Sequence, residues 1–176
     1  MIKTYEDGIV VRPFQEADIT PEYESWFHDQ EVCKYNSHGL MSHTFDKCIL
    51  EDIDPFTDII WAIVQDNSTN GFQQKIHIGN VALNIDWINR KAEFTCIFGE
   101  KEYWGKGICT RILKLAIDHG LNKLNLHKIW LGTAQGNEGM NRVAEKAGMD
   151  FETSMPDELF IEGEYEGINR WSIYGN

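Results

Sequence analysis

The chain has 176 residues, of which 42% are hydrophobic, and its formal net charge at pH 7 is −12. This acid excess disfavours nucleic acid as a partner, because binding it requires a basic surface that neutralises phosphates. No apolar run reaches the roughly 18 residues that span a bilayer, and the polar first residues do not resemble a signal peptide. We therefore expect a cytoplasmic protein that does not contact membranes.

The first part of the chain predicts a strand followed by two helices. Residues 9–14 predict the strand, and Thr20 and Pro21 are suited to the N-cap and first residue of a helix that runs towards His28. A second helix is predicted over residues 45–52. The length suits one domain with a sizeable core, so we expect a single domain over residues 1–176.

The middle of the chain predicts three strands. Residues 59–64 are rich in β-formers, and the turn residues at 66–71 predict a hairpin into residues 76–85. Asn89 and Arg90 turn the chain into a third strand, over residues 92–98. A helix, a strand, a second helix and a closing hairpin are predicted to follow. This order of elements predicts an α+β fold with a mixed, largely antiparallel sheet.

The most informative segment is residues 94–116, where a predicted strand, a glycine-rich loop and an amphipathic helix follow one another. Apolar residues recur at the i, i+4, i+7 and i+8 positions from Ile108, which is one helical stripe. Glycine lets backbone N–H groups approach a ligand, and a helix N-terminus adds partial positive charge. Four cations also gather here on an acidic chain: Lys101, Lys106, Arg111 and Lys114. The segment predicts a site for a phosphorylated ligand.

The common phosphate and metal motifs are absent from the sequence. Neither the P-loop pattern nor the dinucleotide pattern GxGxxG fits the glycine loop, and neither HExxH nor GxSxG occurs in the chain. Cysteine and histidine do recur at intervals of five residues, and both are zinc ligands, but this spacing matches no common zinc pattern. We expect no metal at these four residues: Cys33, His38, His43 and Cys48.

Residues 103–110, YWGKGICT, resemble the pyrophosphate loop of the GNAT superfamily of N-acetyltransferases, in its ribosomal-protein-alanine N-acetyltransferase branch. In the family pattern Q/R-x-x-G-x-G/A, Trp104 takes the first position and Cys109 the last. Residues 137–149 resemble a second family segment, N-x-x-S/A-x-x-V-x-E-K-x-G-F/M, and read physically as a helix capped by Asn137 and ended by Gly148. The opening and closing patterns, at residues 11–32 and 160–165, extend the resemblance over nearly the whole chain.

The resemblance implies the GNAT fold, with a mixed central sheet flanked by helices. It also implies a reaction in which an amine attacks the thioester of acetyl-CoA directly, with no metal. Residues of the central strand, the glycine loop and the capped helix are then expected to bind acetyl-CoA. They are Cys96, Ile97, Trp104, Gly105, Lys106, Gly107, Ile108, Cys109, Thr110, Asn137 and Arg142.

Glu93 is the candidate general base. Many members of the family carry a glutamate at the start of this strand, and an amine with a pKa of about 10 must lose its proton before it attacks. A strand-end surface carboxylate is the alternative interpretation. Where the wider family carries a tyrosine that protonates the leaving thiolate, this chain has Ala144. The general acid is therefore unassigned.

The acceptor is expected to contact the loop that follows the first helix, through Tyr35, Asn36 and His38, because the branch lines its acceptor pocket there. We expect the primary amine of a small molecule, with an amino sugar or a nucleotide-linked amino sugar favoured. The N-terminal amine of a protein and an aminoglycoside are alternatives. A catalytically silent acyl-CoA-binding module and an interaction protein without a cofactor are rivals from other classes. The sequence leaves open whether the chain forms a homodimer.

Overall fold

The computed structural model of the chain describes residues 3–36, 54, 56–68 and 74–175. The helix predicted over residues 45–52 and three of the metal candidates, His38, His43 and Cys48, lie outside these residues. The described strands are β1 (Lys3–Thr4), β2 (Ile9–Pro13), β3 (Asp58–Asp66), β4 (Lys75–Asp86), β5 (Lys91–Ile97), β6 (Lys128–Ala134), β7 (Asp150–Ile161) and β8 (Glu164–Tyr174). The described α-helices are α1 (Pro21–Trp26), α2 (Gln30–Cys33), α3 (Ile108–Asp118) and α4 (Glu138–Ala147).

These strands form a sheet in the order β1-β2-β3-β4-β5-β6-β8-β7. The pairs β1–β2, β2–β3, β6–β8 and β7–β8 are antiparallel, whereas β5 and β6 are parallel. The predicted α+β class with a mixed, largely antiparallel sheet is confirmed. The chain divides into two compact units, residues 1–82 with 96–104 and residues 83–95 with 105–176, so β4 and β5 contribute to both.

In the first unit, the predicted helix that runs towards His28 is α1, and a second short helix, α2, follows it. Thr20 caps α1 as predicted, because its Oγ1 accepts from the Tyr23 amide at 3.2 Å. The Asp29 carboxylate then accepts from the amides of Glu31 and Val32, which starts α2 as a separate helix. The sequence analysis did not predict α2, although an aspartate at its N-cap position was the available signal.

The aromatic residues of α1 form a small core in the first unit. Tyr23, Trp26 and Phe27 recur at i, i+3 and i+4, and they pack with Cys33 of α2 and with Ile97 at the end of β5. A β-carbon added at Gly99 would lie 1.8 Å from Cδ2 of Trp26, so the Trp26 ring rests directly on the backbone of this glycine.

Polar contacts also join the α1–α2 region to the residues that follow β5. The Trp26 indole Nε1 donates to Glu100 Oε1 at 3.0 Å. The Lys101 ammonium lies 2.8 Å from Asp29 Oδ2 and 3.0 Å from Glu31 Oε2. The helices α1 and α2 therefore hold the segment that follows β5, which runs on into the glycine loop.

In the second unit, α3 and α4 pack against each other. The buried residues of α3 are Ile108, Ile112, Leu113, Ala116 and Ile117. The predicted stripe had Leu115 in place of Leu113, and Leu115 is only half-buried. The predicted closing hairpin is formed by β7 and β8, which pair from Asp150–Ser172 to Ile161–Glu164, with irregularities at residues 151–153 and 155–159.

We expect Gly99→Ala to lower the free energy of unfolding by about 2 to 3 kcal/mol, because the new methyl group overpacks the site that the Trp26 ring occupies. Gly139→Ala is the matched control, since its methyl group would meet only Asn137 Oδ1, at 3.7 Å, and alanine favours a helix. Urea unfolding measures both. Equal stability of the two variants would show that the ring does not rest on Gly99.

Candidate active site

A glycine turn introduces α3. Gly105 and Gly107 have φ angles of 72° and 75°, in the left-handed region that side chains disfavour, and Gly107 is the N-cap of α3. Among the described residues, no heavy atom that could obstruct a β-carbon at either glycine lies within 4 Å. The turn therefore combines a backbone conformation that requires glycine with open space beside it.

The N-terminal end of α3 is suited to an anion. Gly107, the N-cap residue, offers no side chain to the first turn, and the first turn contains no acidic residue. The positive end of the helix dipole is therefore not offset by a carboxylate there. Lys106 and Lys114 are exposed and Arg111 is half-buried. The residues present thus fit the diphosphate of coenzyme A, which these backbone groups and cations would hold.

The other predicted loop residues have distinct environments. Trp104 is 39% exposed, and its indole Nε1 donates to the Phe98 carbonyl at 2.9 Å. Ile108 is buried, so its side chain belongs to the core, whereas Cys109 and Thr110 are half-buried. Lys101, which the sequence grouped with the cations of the site, is engaged by Asp29 and Glu31 instead.

Asn137 and Gly148 bound α4 as predicted. Asn137 Oδ1 accepts from the Met140 amide at 3.0 Å, and Gly148 ends the helix with a φ of 91°. Arg142, a predicted cofactor-binding residue, is exposed and donates to Glu138 Oε2 at 2.8 Å. A cofactor role for Asn137 and Arg142 stays a prediction.

Asn141 is a structural residue that the sequence analysis missed. Its amide nitrogen donates to the carbonyls of Ala134 and Asn137, at 3.0 and 2.9 Å. Its amide oxygen accepts from Asn169 Nδ2 and Trp171 Nε1, each at 3.0 Å. One side chain therefore joins α4, β8 and the turn after β6. Its position one helical turn after Asn137 indicated a side chain close to the start of α4. Spacing within the helix does not, however, identify hydrogen-bond partners of Asn141 on a distant strand such as β8.

Glu93 lies where β5 leaves β6. The parallel ladder comprises three pairs and ends at Glu93–Trp130, although both strands continue. Glu93 is half-buried, and burial raises the pKa of its carboxyl group above the ordinary value of 4.5, whereas the nearby Arg170 acts in the opposite direction. A carboxylate with a raised pKa accepts a proton more readily than an exposed one.

The remaining candidates are placed as follows. Ala144 is fully buried in α4, and its methyl group cannot donate a proton. Tyr35 and Asn36 follow α2 in the first unit, where the Asn36 amide donates to the Cys33 carbonyl at 2.9 Å, and the third acceptor candidate, His38, lies outside the described residues. Cys96 and Ile97 end β5 and are half-buried. Within the described chain, no three His, Cys, Asp or Glu residues are grouped to hold a metal, and no helix is long and apolar enough to cross a bilayer.

Comparison with known proteins gives a family match over most of the chain. Residues 9–150 match the acetyltransferase (GNAT) domain. A spermidine N(1)-acetyltransferase of Vibrio cholerae serotype O1 is 33% identical over 143 residues, which are 78% of this chain and 82% of that protein. A putative ribosomal N-acetyltransferase of Bacillus subtilis is 32% identical over 90 residues, about half of each chain.

A solved structure extends the comparison to the fold. The crystal structure of spermidine N-acetyltransferase from Vibrio cholerae in complex with CoA and spermine has a TM-score of 0.74 to this chain. It is 25% identical, and the match covers 95% of each chain. The comparison thus spans both compact units.

We expect Gly107→Asp to weaken coenzyme A binding at least about 100-fold, because a carboxylate about 4 Å from a phosphate costs several kcal/mol in a protein-like dielectric. Gly107→Asn is the matched control: it adds a side chain of the same shape with equal tolerance of the left-handed region, but no charge. Calorimetric titration with coenzyme A gives both affinities. Unchanged affinity in a folded Gly107→Asp protein would refute the assignment of the loop.

Proposed function

This chain belongs to the GNAT family of acetyltransferases, with acetyl-CoA as its acyl donor, and we propose that its acceptor is a primary amine of a polyamine. The single observation that carries the acyltransferase function is the open glycine turn at the start of α3, which is suited to a diphosphate. A polyamine acceptor is supported by the named activity of the Vibrio relative, with 33% identity.

Charge also supports a polycationic acceptor. The chain has a net charge of −12, and Asp157, Glu158, Glu162 and Glu164 are all exposed on the closing hairpin. A negative field of this kind raises the local concentration of a cation and the rate at which it arrives. A sugar with a single amino group, such as glucosamine, carries one such charge and gains less from the field.

The reaction requires the chain to bind the donor, orient the amine and remove a proton. Bound acetyl-CoA supplies an activated acetyl thioester. In our proposal, the Gly105–Gly107 turn and Lys106 hold the donor diphosphate, and Glu93 removes a proton from the acceptor ammonium. Solvent protonates the leaving thiolate, since Ala144 cannot.

The alternatives differ in their acceptors. A protein N-terminal amine is supported by the Bacillus relative, whose name is that of a putative ribosomal N-acetyltransferase. The amino-sugar acceptor stays a prediction, as do a single domain, a cytoplasmic location and a homodimer. A silent acyl-CoA-binding module is compatible with Ala144 but would acetylate no amine.

We expect spermidine and spermine to be acetylated with a kcat/KM about 100-fold or more above that of glucosamine or a short peptide with a free N-terminus. Butylamine is the matched control, because it offers the same type of reactive nitrogen without further cationic charges. Thiol release measures the rates, and mass spectrometry identifies the products. Preference for the sugar or the peptide would replace the polyamine proposal, and turnover of no amine would favour the silent module.

We expect Glu93→Gln to lower kcat about 100-fold or more, because a neutral amide cannot accept the proton of the ammonium. In the unaltered enzyme, kcat should fall as the pH drops through the raised pKa of Glu93, since only the ionised carboxylate is a base. Glu145→Gln on the exposed surface of α4 is the control. The acid limb of the pH profile is the range in which kcat falls as the pH drops. A Glu93→Gln enzyme with undiminished kcat and an unchanged acid limb would exclude Glu93 as the base.

A further inference from the structure

The Arg170 side chain is packed on an aromatic ring. Its Cζ lies 3.8 Å from the ring centroid of Trp130, and its side chain is 28% exposed. Within the described chain, its buried Nε has no partner at hydrogen-bond distance, and it forms an ion pair with Glu152 Oε2 at 3.7 Å. Stacking on the indole therefore fixes the guanidinium plane, with no hydrogen bond from Nε.

Strand register brings this guanidinium to the same face of the sheet as Glu93. Glu93 of β5 is directly opposite Trp130 of β6, and Trp130 is opposite Ser172 of β8. Arg170 precedes Ser172 by two residues on the same strand, so both point to one face. The positive charge over Trp130 therefore lies on the same face of the sheet as the Glu93 carboxylate.

The lysines of β5 and β6 on this face lie against carboxylates, one of which, Glu152, also faces Arg170. On β6, the Lys128 ammonium lies 2.6 Å from Glu152 Oε1, and Glu152 is the extra residue where β7 departs from its register with β8. On β5, the Lys91 ammonium lies 3.8 Å from Asp86 Oδ2 of β4. Both lysines thus face carboxylates of their own, which reduces their effect on Glu93.

We infer that Arg170 is a positioning residue that keeps the Glu93 carboxylate ionised and oriented towards the acceptor amine. The inference rests on the proposed function of Glu93 as the base. Burial disfavours the charged carboxylate, and Arg170 offsets part of that cost. In the step that follows, an N–H bond of the acceptor ammonium breaks and an O–H bond forms on Glu93, while Arg170 keeps its own protons.

Removing the Arg170 charge should make Glu93 a base only at higher pH. We expect Arg170→Met, which keeps an unbranched side chain over Trp130, to move the acid limb of kcat upwards by about one pH unit. The rate on that limb then falls about tenfold, whereas the plateau at high pH stays within about twofold of the unaltered enzyme. Arg170→Lys retains the positive charge, so its acid limb should stay close to that of the unaltered enzyme.

The controls separate this inference from the proposal on which it rests. Lys123→Met removes one exposed cation outside the proposed site and should leave the limb in place. If Glu93→Gln abolishes the limb but Arg170→Met does not move it, the inference is overturned and the base stands. If Glu93→Gln leaves the limb intact, the assignment of the base fails, and the inference fails with it. Should Arg170→Met not fold, Arg170→Gln takes the same test, with the same two outcomes.

Discussion

The ladder between β5 and β6 comprises only three residue pairs and ends at Glu93–Trp130, although both strands continue beyond it. Paired parallel strands offer no free backbone groups to a ligand, because each N–H and C=O is engaged in the sheet. Where the ladder ends, the facing edges of the strands are released from that pairing. Glu93 is therefore the last residue of β5 that is paired with β6, and the groups beyond it on this side of the strand are outside that ladder. The proposed chemistry depends on this boundary.

The molecule separates two kinds of electrostatic attraction. The glycine turn before α3 attracts an anion with a helix end and local cations, whereas the closing hairpin carries exposed carboxylates suited to a polycation. In our proposal, the diphosphate of the donor is thus attracted to the glycine turn and a polyamine acceptor to the carboxylates of the closing hairpin. Lys101 shows that a cation near the loop need not serve the anion, since Asp29 and Glu31 neutralise it.

Local signals in the sequence predicted much of the fold. The Gly105–Gly107 turn, the Asn137 cap and the strand predicted from the β-formers of residues 59–64 each depend on neighbouring residues, so spacing and residue type were sufficient. The stacking of Arg170 on Trp130 and the contacts of Asn141 were not predictable in this way. They depend on the register of three strands that are distant in the chain, and a one-residue shift would move every side chain to the other face. The cofactor and acceptor roles of the site residues stay predictions.

The contact between the Trp26 ring and Gly99 restricts how the chain can change over generations. A β-carbon at residue 99 is compatible with this packing only if the indole is replaced by a smaller group, which in turn removes the donor to Glu100. The two positions should therefore covary among descendants of a common ancestor: tryptophan at the first only with glycine at the second. An alignment containing a tryptophan–alanine pair would show that the backbone at this point can shift to make room.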